Sequence, residues 1–123
     1  MKGSEAVPSK SQQLVRRFSE LIEAAEDVRT VLRSYKEANL SVATLVDKGA
    51  HLVTALEDFD GPVRRGKVTD ALKEFEAARH RVRVAMFALA KEQGSSSSDV
   101  ARALGISRQL ASRLAGEAEE TQH

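Results

Sequence analysis

Residues Leu14–Tyr35 read LVRRFSELIEAAEDVRTVLRSY, and their apolar positions decide the class of the fold. Leu14, Phe18, Leu21, Ala25, Val28, Leu32 and Tyr35 follow one another at steps of 4, 3, 4, 3, 4 and 3. Only an α-helix places such a heptad row on one face. Val15, Ile22 and Val31 widen the row toward the face of a helix bundle. Upstream, Ser9 and Gln12 have capping-box spacing, so the helix is predicted to begin there and residues 1–8 to form a disordered tail.

Downstream, Ala38-Asn39-Leu40 reads as a break, with Ser41 capping a second helix. Its row is Val42, Leu45, Gly49, Leu52, Leu56 and Phe59, and Gly49 within that row predicts a close helix approach. Asp60-Gly61-Pro62 reads as the end of this helix, and Gly66 as part of a loose connection. A third row, Val68, Ala71, Phe75, Ala78, Val82, Ala85 and Leu89, runs on toward Gln93. Gly94 then stands where a left-handed C-cap residue belongs. The three expected helices, about 27, 19 and 26 residues, span roughly 40, 28 and 39 Å. The middle one is too short to cover its neighbours, which leaves apolar seam for a second copy of the chain. Leu14, Phe18, Leu21, Val28, Leu32, Leu52 and Leu56 are the expected dimerisation positions.

Composition agrees with this class. Of 123 residues 41% are hydrophobic, enough for a core, whereas 4% aromatics and two prolines do not suit a β-sandwich. No apolar run approaches the ~20 residues of a membrane span, and no signal-peptide h-region precedes Gln13. The chain has no cysteine, which excludes disulfides, thiolate zinc sites and thiol nucleophiles. A cytoplasmic, nucleoid-associated location is expected. The net charge of +1 is unevenly laid out: −2 over residues 1–60 and +4 over residues 61–93. Arg102, Arg108 and Arg113 follow before the acidic Glu117, Glu119 and Glu120. Basic charge is thus concentrated between Arg64 and Arg113, as contact with a phosphate backbone requires; solvated helix faces have the same composition.

The stretch Ser95–Gly116, SSSSDVARALGISRQLASRLAG, carries a second kind of information. Ala101 is the small residue needed where two short helices cross, and four residues later Gly105 supplies a turn tolerant of positive φ. Val100, Leu104, Ile106, Leu110 and Leu114 bracket these apolar contacts. Ser96 with Asp99 forms a capping box for the first helix, and Ser107 is the N-cap of the second.

These residues resemble the helix-turn-helix of bacterial DNA-binding proteins. Val100-Ala101-x-x-Leu104-Gly105-Ile106-Ser107-Arg108 is most similar to the trihelical, homeodomain-like form of resolvase DNA-binding domains and sigma-factor region 4. Ala111 departs from the usual Val or Ile and predicts slightly weaker packing. The likeness covers about a fifth of the chain, about a third with the preceding helix, and does not extend to residues 1–79. Seven residues after Gly116 are too few for a wing, so the unwinged form is implied, its first helix being about Arg81 to Gln93.

The three heptad rows and their short connections predict an all-α fold of long antiparallel heptad-patterned helices, as a bundle or helical hairpin, and the resemblance adds an unwinged helix-turn-helix after them. Periodicity, charge and resemblance together divide the chain into a helical dimerisation region over 9–79, a DNA-binding domain over 80–118 and an acidic tail over 119–123. The recognition helix, Ser107 to about Ala118, would turn Ser107, Arg108, Gln109, Ser112 and Arg113 toward the major groove of double-stranded DNA. Arg102, and upstream Arg79, Arg81, Arg83 and Lys91, are candidates for phosphate contacts. The plain alternative for each arginine is a solvated side chain or a helix-face ion pair; Arg102 has Asp99 nearby for this.

Other chemistry is not expected. Placing Gly61 as the sixth residue of a calcium loop would put Leu56 first and Lys67 twelfth, and neither is a ligand. His51, His80 and His123 lack metal-ligand spacing. Asp47 with His51 and Glu76 with His80 read as i,i+4 surface pairs. No phosphate-binding glycine loop and no Ser/His/Asp arrangement stands out, so neither an enzyme nor a cofactor is expected. The expected function is that of a small bacterial transcriptional regulator, a sequence-specific DNA-binding homodimer. Two alternatives stand beside it. One is a helical adaptor that binds a protein partner through the acidic N-terminal part and its long seams, with the motif only a packing unit. The other is a plasmid or phage accessory factor in partition, transfer or recombination that uses the same motif.

Overall fold

The computed structural model describes residues 7–120, in which every regular element is an α-helix and no strand occurs. Five helices follow in order: α1 (Lys10–Asp47), α2 (Leu52–Glu57), α3 (Gly61–Glu92), α4 (Ser97–Leu104) and α5 (Arg108–Glu120). The predicted tail lies outside the described residues over 1–6, as does the end of the acidic tail, 121–123. No helix among the described residues is long and apolar enough to cross a membrane.

The start of α1 is the expected capping box. The Ser9 amide donates to Gln12 Oε1 at 2.8 Å, and the Gln12 amide donates to Ser9 Oγ at 3.1 Å. The predicted break at Ala38-Asn39-Leu40 is absent, and α1 continues to Asp47. None of these residues disrupts a helix by much; Asn costs no more than about 0.7 kcal/mol relative to Ala. Asn39 Nδ2 donates back to the Tyr35 carbonyl and Thr44 Oγ1 to that of Leu40, so the polar side chains are satisfied within the helix. The helix ends at Gly49 instead. With φ of +92°, Gly49 closes a Schellman cap in which the Ala50 amide donates to Leu45 O. It therefore serves as a terminator and not as the site of a close helix approach.

What remains of the expected second helix is the single short α2. The third helix begins at Gly61, seven residues before the first position of its predicted row. Pro62 is at home in a helix's first turn, where the missing amide has no partner to lose, and Gly66 lies inside the helix. The Arg64 guanidinium secures this start: Nε donates to the Phe59 carbonyl, Nη1 to Ser34 Oγ at 3.3 Å, and the group lies 5.6 Å from the Phe59 ring centre.

The chain divides into two compact units. A terminal unit combines the chain through Leu21 with Ala78 onward, and a central unit comprises Ile22–Ala77. The core of the terminal unit is Phe87, Ala101, Ala111, Leu114 and Ala118, packed against Val84, Ala88, Val100, Ile106, Leu110 and Ala115. In the central unit only Ala24 and Ala55 are fully buried.

Along α1 the less exposed row is Leu14, Arg17, Leu21, Ala24, Val28, Val31, Ala38 and Val42. It shares Leu14, Leu21 and Val28 with the predicted row but exchanges Phe18, Ala25 and Leu32, all exposed, for neighbours one residue earlier; Tyr35 is exposed too, and the row resumes only at Ala38. Both rows have helical spacing, and the apolar surface of α1 is wider than its neighbours cover. On α3 the predicted row Val68, Ala71, Phe75, Ala78, Val82, Ala85 and Leu89 is buried or half-buried at every position.

Candidate nucleic-acid interface

Residues 96–120 form two short helices joined by a tight turn. Ser96 caps α4 in a complete capping box: Asp99 N donates to Ser96 Oγ at 3.1 Å and Ser96 N to Asp99 Oδ2 at 3.4 Å. Arg102 Nη2 donates to Asp99 Oδ1 at 2.7 Å. These bonds, the arginine's first and then those of Ser96, hold the Asp99 carboxyl below its ordinary range. Gly105 ends α4 with φ of +70°, and the Ile106 amide donates to Ala101 O. Ser107 Oγ then accepts the Leu110 amide at 3.1 Å, capping α5.

The faces of α5 follow from its spacing. Ala111, Leu114 and Ala118, at i, i+3 and i+7, are buried in a cluster shared with Phe87 of α3 and Ala101 of α4. Leu114 is the largest fully buried side chain, 1% exposed. Ala111 sits in this core as a small residue, and its neighbours Val100, Ile106 and Leu110 pack against the same cluster. The opposite face presents Ser107, Arg108, Gln109, Ser112 and Arg113, all exposed. Among the described residues neither Arg108 nor Arg113 has an ion-pair or hydrogen-bond partner.

The other candidate cations are placed differently. Arg102 is exposed and bound to Asp99. Arg81 is half-buried, with Nε donating to Glu20 Oε1 at 3.2 Å, and Arg83 is also half-buried. Glu20 is shared with Arg17, whose hydrogen bond is the chief reason its carboxyl lies below the usual range. Lys91 Nζ lies 3.0 Å from Glu119 Oε1, and Arg79 is exposed and partnered within the chain.

Sequence reading missed two links between α3 and α5. His80 Nε2 meets Glu117, and Lys91 meets Glu119, so these acids belong to a helix bonded to its neighbour. No local spacing signals a contact across 37 or 28 residues. The other expected histidine pair, Asp47 with His51, is not on one helix, because α1 ends at Asp47.

Chemically, the arrangement is a rigidly seated helix with two unpartnered guanidinium groups, one amide and two hydroxyls on its outer face. No group of three or more His, Cys, Asp or Glu side chains suited to a metal occurs among the described residues. No protein-family model matches the chain, and no curated protein and no solved structure matches it significantly.

Proposed function

We propose that the chain is a sequence-specific binder of double-stranded DNA, with α4, the Gly105 turn and α5 acting as a helix-turn-helix and α5 lying in the major groove. One observation carries this reading: the core locks one face of α5 in place while Arg108, Gln109, Ser112 and Arg113 stand on the other with open hydrogen-bonding capacity. Arginine matches guanine O6 and N7 with two donors, and glutamine matches adenine N6 and N7. Ser107 and the first amides of α5 suit a phosphate. Participation of Phe87, Val84 and Ala88 in the same cluster supports the three-helix form, with the end of α3 as its first helix. Arg102 and Lys91 would reach phosphate only by sharing or leaving their carboxylate partners, so Arg108 and Arg113 contribute most. A role in bacterial transcription regulation is the use that best fits such a module.

The test is selection of bound duplexes from a random pool, followed by fluorescence titration of the selected site. Arg108→Ala and Arg113→Ala are each expected to cost about 1–3 kcal/mol and to relax sequence preference at one or two base pairs. Unchanged affinity in both variants would refute the assignment of α5. Affinity should fall steeply as salt rises. Binding that ignores salt would point away from DNA and toward a protein partner.

A further inference from the structure

The central unit exposes what a folded unit normally hides. Eleven of its seventeen large apolar side chains are exposed, from 39% at Tyr35 to 74% at Val53. A standard interface takes about 800 Å² from each partner, and eleven half-covered side chains are of that order.

Their arrangement identifies the cover. On α1, Ile22, Ala25, Leu32 and Leu40 form an exposed stripe beside the inward row; Arg29 and Lys36 interleave with its middle at helical spacing, while the exposed Glu23, Glu26, Asp27 and Glu37 flank that basic section on either side. Arg29 shares Glu26 at 3.7 Å on an exposed face. Residues 28–36 and 61–69 carry three basic side chains each and no acid. They lie side by side, joined by the Arg64–Ser34 hydrogen bond and by the cleft that Thr30, Val31, Lys67 and Val68 line. The apolar end of the unit has the opposite charge. Leu45, Val46, Leu52, Val53 and Leu56 are exposed there among Asp47, Glu57, Asp58 and Asp60, with Lys48 the one basic residue between 40 and 60.

We infer that the central unit is a self-association surface, on which the acid-rimmed α2 end of one copy packs over the basic middle of the α1 stripe, Arg29 to Lys36, of another. Both complementary halves are on one chain, so a two-fold axis satisfies both contacts at once. A nucleic acid is the weaker occupant. The six basic residues of the band are set among eleven acidic and two basic ones in the rest of the unit, and a polyanion leaves the apolar side chains wet. This inference does not depend on the proposed DNA binding.

The test is sedimentation equilibrium of the full chain without DNA. The wild type is expected to dimerise at about 100 µM or below. Reversing the stripe (Arg29→Glu with Lys36→Glu) or the α2 rim (Glu57→Lys with Asp58→Lys) should raise the dissociation constant about tenfold or more. An equimolar mixture of the two variants should recover the dimer as a heterodimer, because each reversed surface then meets its complement. Val53→Asp should weaken association with unchanged circular dichroism. A wild type that stays monomeric at that concentration overturns the inference, and so does a dimer that tolerates both reversals. So does a mixture that remains monomeric while both variants keep wild-type helicity; loss of helicity in a reversal variant passes the decision to Val53→Asp, whose indifference would equally refute it. If the wild type is monomeric but still binds its selected duplex, only the self-association inference has failed.

Discussion

The terminal and central units draw on the same residue types and treat them in opposite ways. Among the described residues of the terminal unit four of fifteen large apolar side chains are exposed, and seven residues are fully buried. In the central unit eleven of seventeen are exposed and two alanines are buried. The difference lies in topology. The terminal unit surrounds Phe87 and Leu114 with helices that approach from different directions, because glycine turns at 94 and 105 fold the chain back twice within about a dozen residues. The central unit is built largely from stretches of two long helices with one six-residue helix between them, too few elements to enclose a core. An enclosed core suits the DNA-reading role proposed for α5. An open apolar face suits the self-association proposed for the central unit.

The largest test of this contrast is paired truncation. Leu114→Ala should destabilise the terminal unit by about 2–5 kcal/mol in urea unfolding, whereas Val53→Ala, measured where the chain is monomeric, should cost less than about 0.5 kcal/mol. Equal losses would break the comparison. Next in size is Gly105→Ala. An added Cβ meets no atom within 4 Å, so the cost is that of a left-handed backbone alone, about 1–2 kcal/mol, seen as a lower melting temperature. Gly66→Ala has the opposite sign, since Gly66 is interior to α3 with open space around it; about 0.5–1 kcal/mol of added stability is expected in the same assay. Opposite outcomes at these two glycines would sharpen the distinction between turn and helix interior.

A comparable effect concerns the α4 cap. Ser96→Ala should cost about 1 kcal/mol. Asp99 adds a pH dependence with a definite direction. Its folded carboxyl titrates below the ordinary value, so its contribution is complete above the unfolded value and is lost as pH falls through the lowered folded one. Circular dichroism of wild type and Asp99→Asn across mildly to strongly acid pH should therefore converge at the acid end. Divergence there would show that the hydrogen bonds from Arg102 and Ser96 do not favour the charged form. The smallest effect is expected at the exposed Lys91–Glu119 pair, where Lys91→Ala should change stability by less than about 1 kcal/mol.

The legibility of the sequence follows the range of the interactions involved. Ser9 with Gln12, Ser96 with Asp99, Gly94 and Gly105 were readable because each acts on chain within five residues of itself. The α5 faces were readable for the same reason: Leu110, Ala111 and Leu114 leave Arg108, Gln109, Ser112 and Arg113 on the far side of any helix. The run through Ala38-Asn39-Leu40 was misread because weak helix formers are tolerated wherever side chains bond back to the preceding turn, as Asn39 and Thr44 do. Gly49 was misread because helical spacing alone does not distinguish a glycine inside a seam from one that ends it.

By itself the sequence determined that the chain is helical, where its strongest caps stand and which side chains α5 turns outward, because backbone hydrogen bonding and 3.6-residue periodicity are local. Only the tertiary structure decided which of two equally periodic rows on α1 turns inward, that His80 and Lys91 reach Glu117 and Glu119, and that the central unit keeps most of its apolar surface uncovered. Those outcomes depend on which segments meet across the chain, and burial is a property of the meeting.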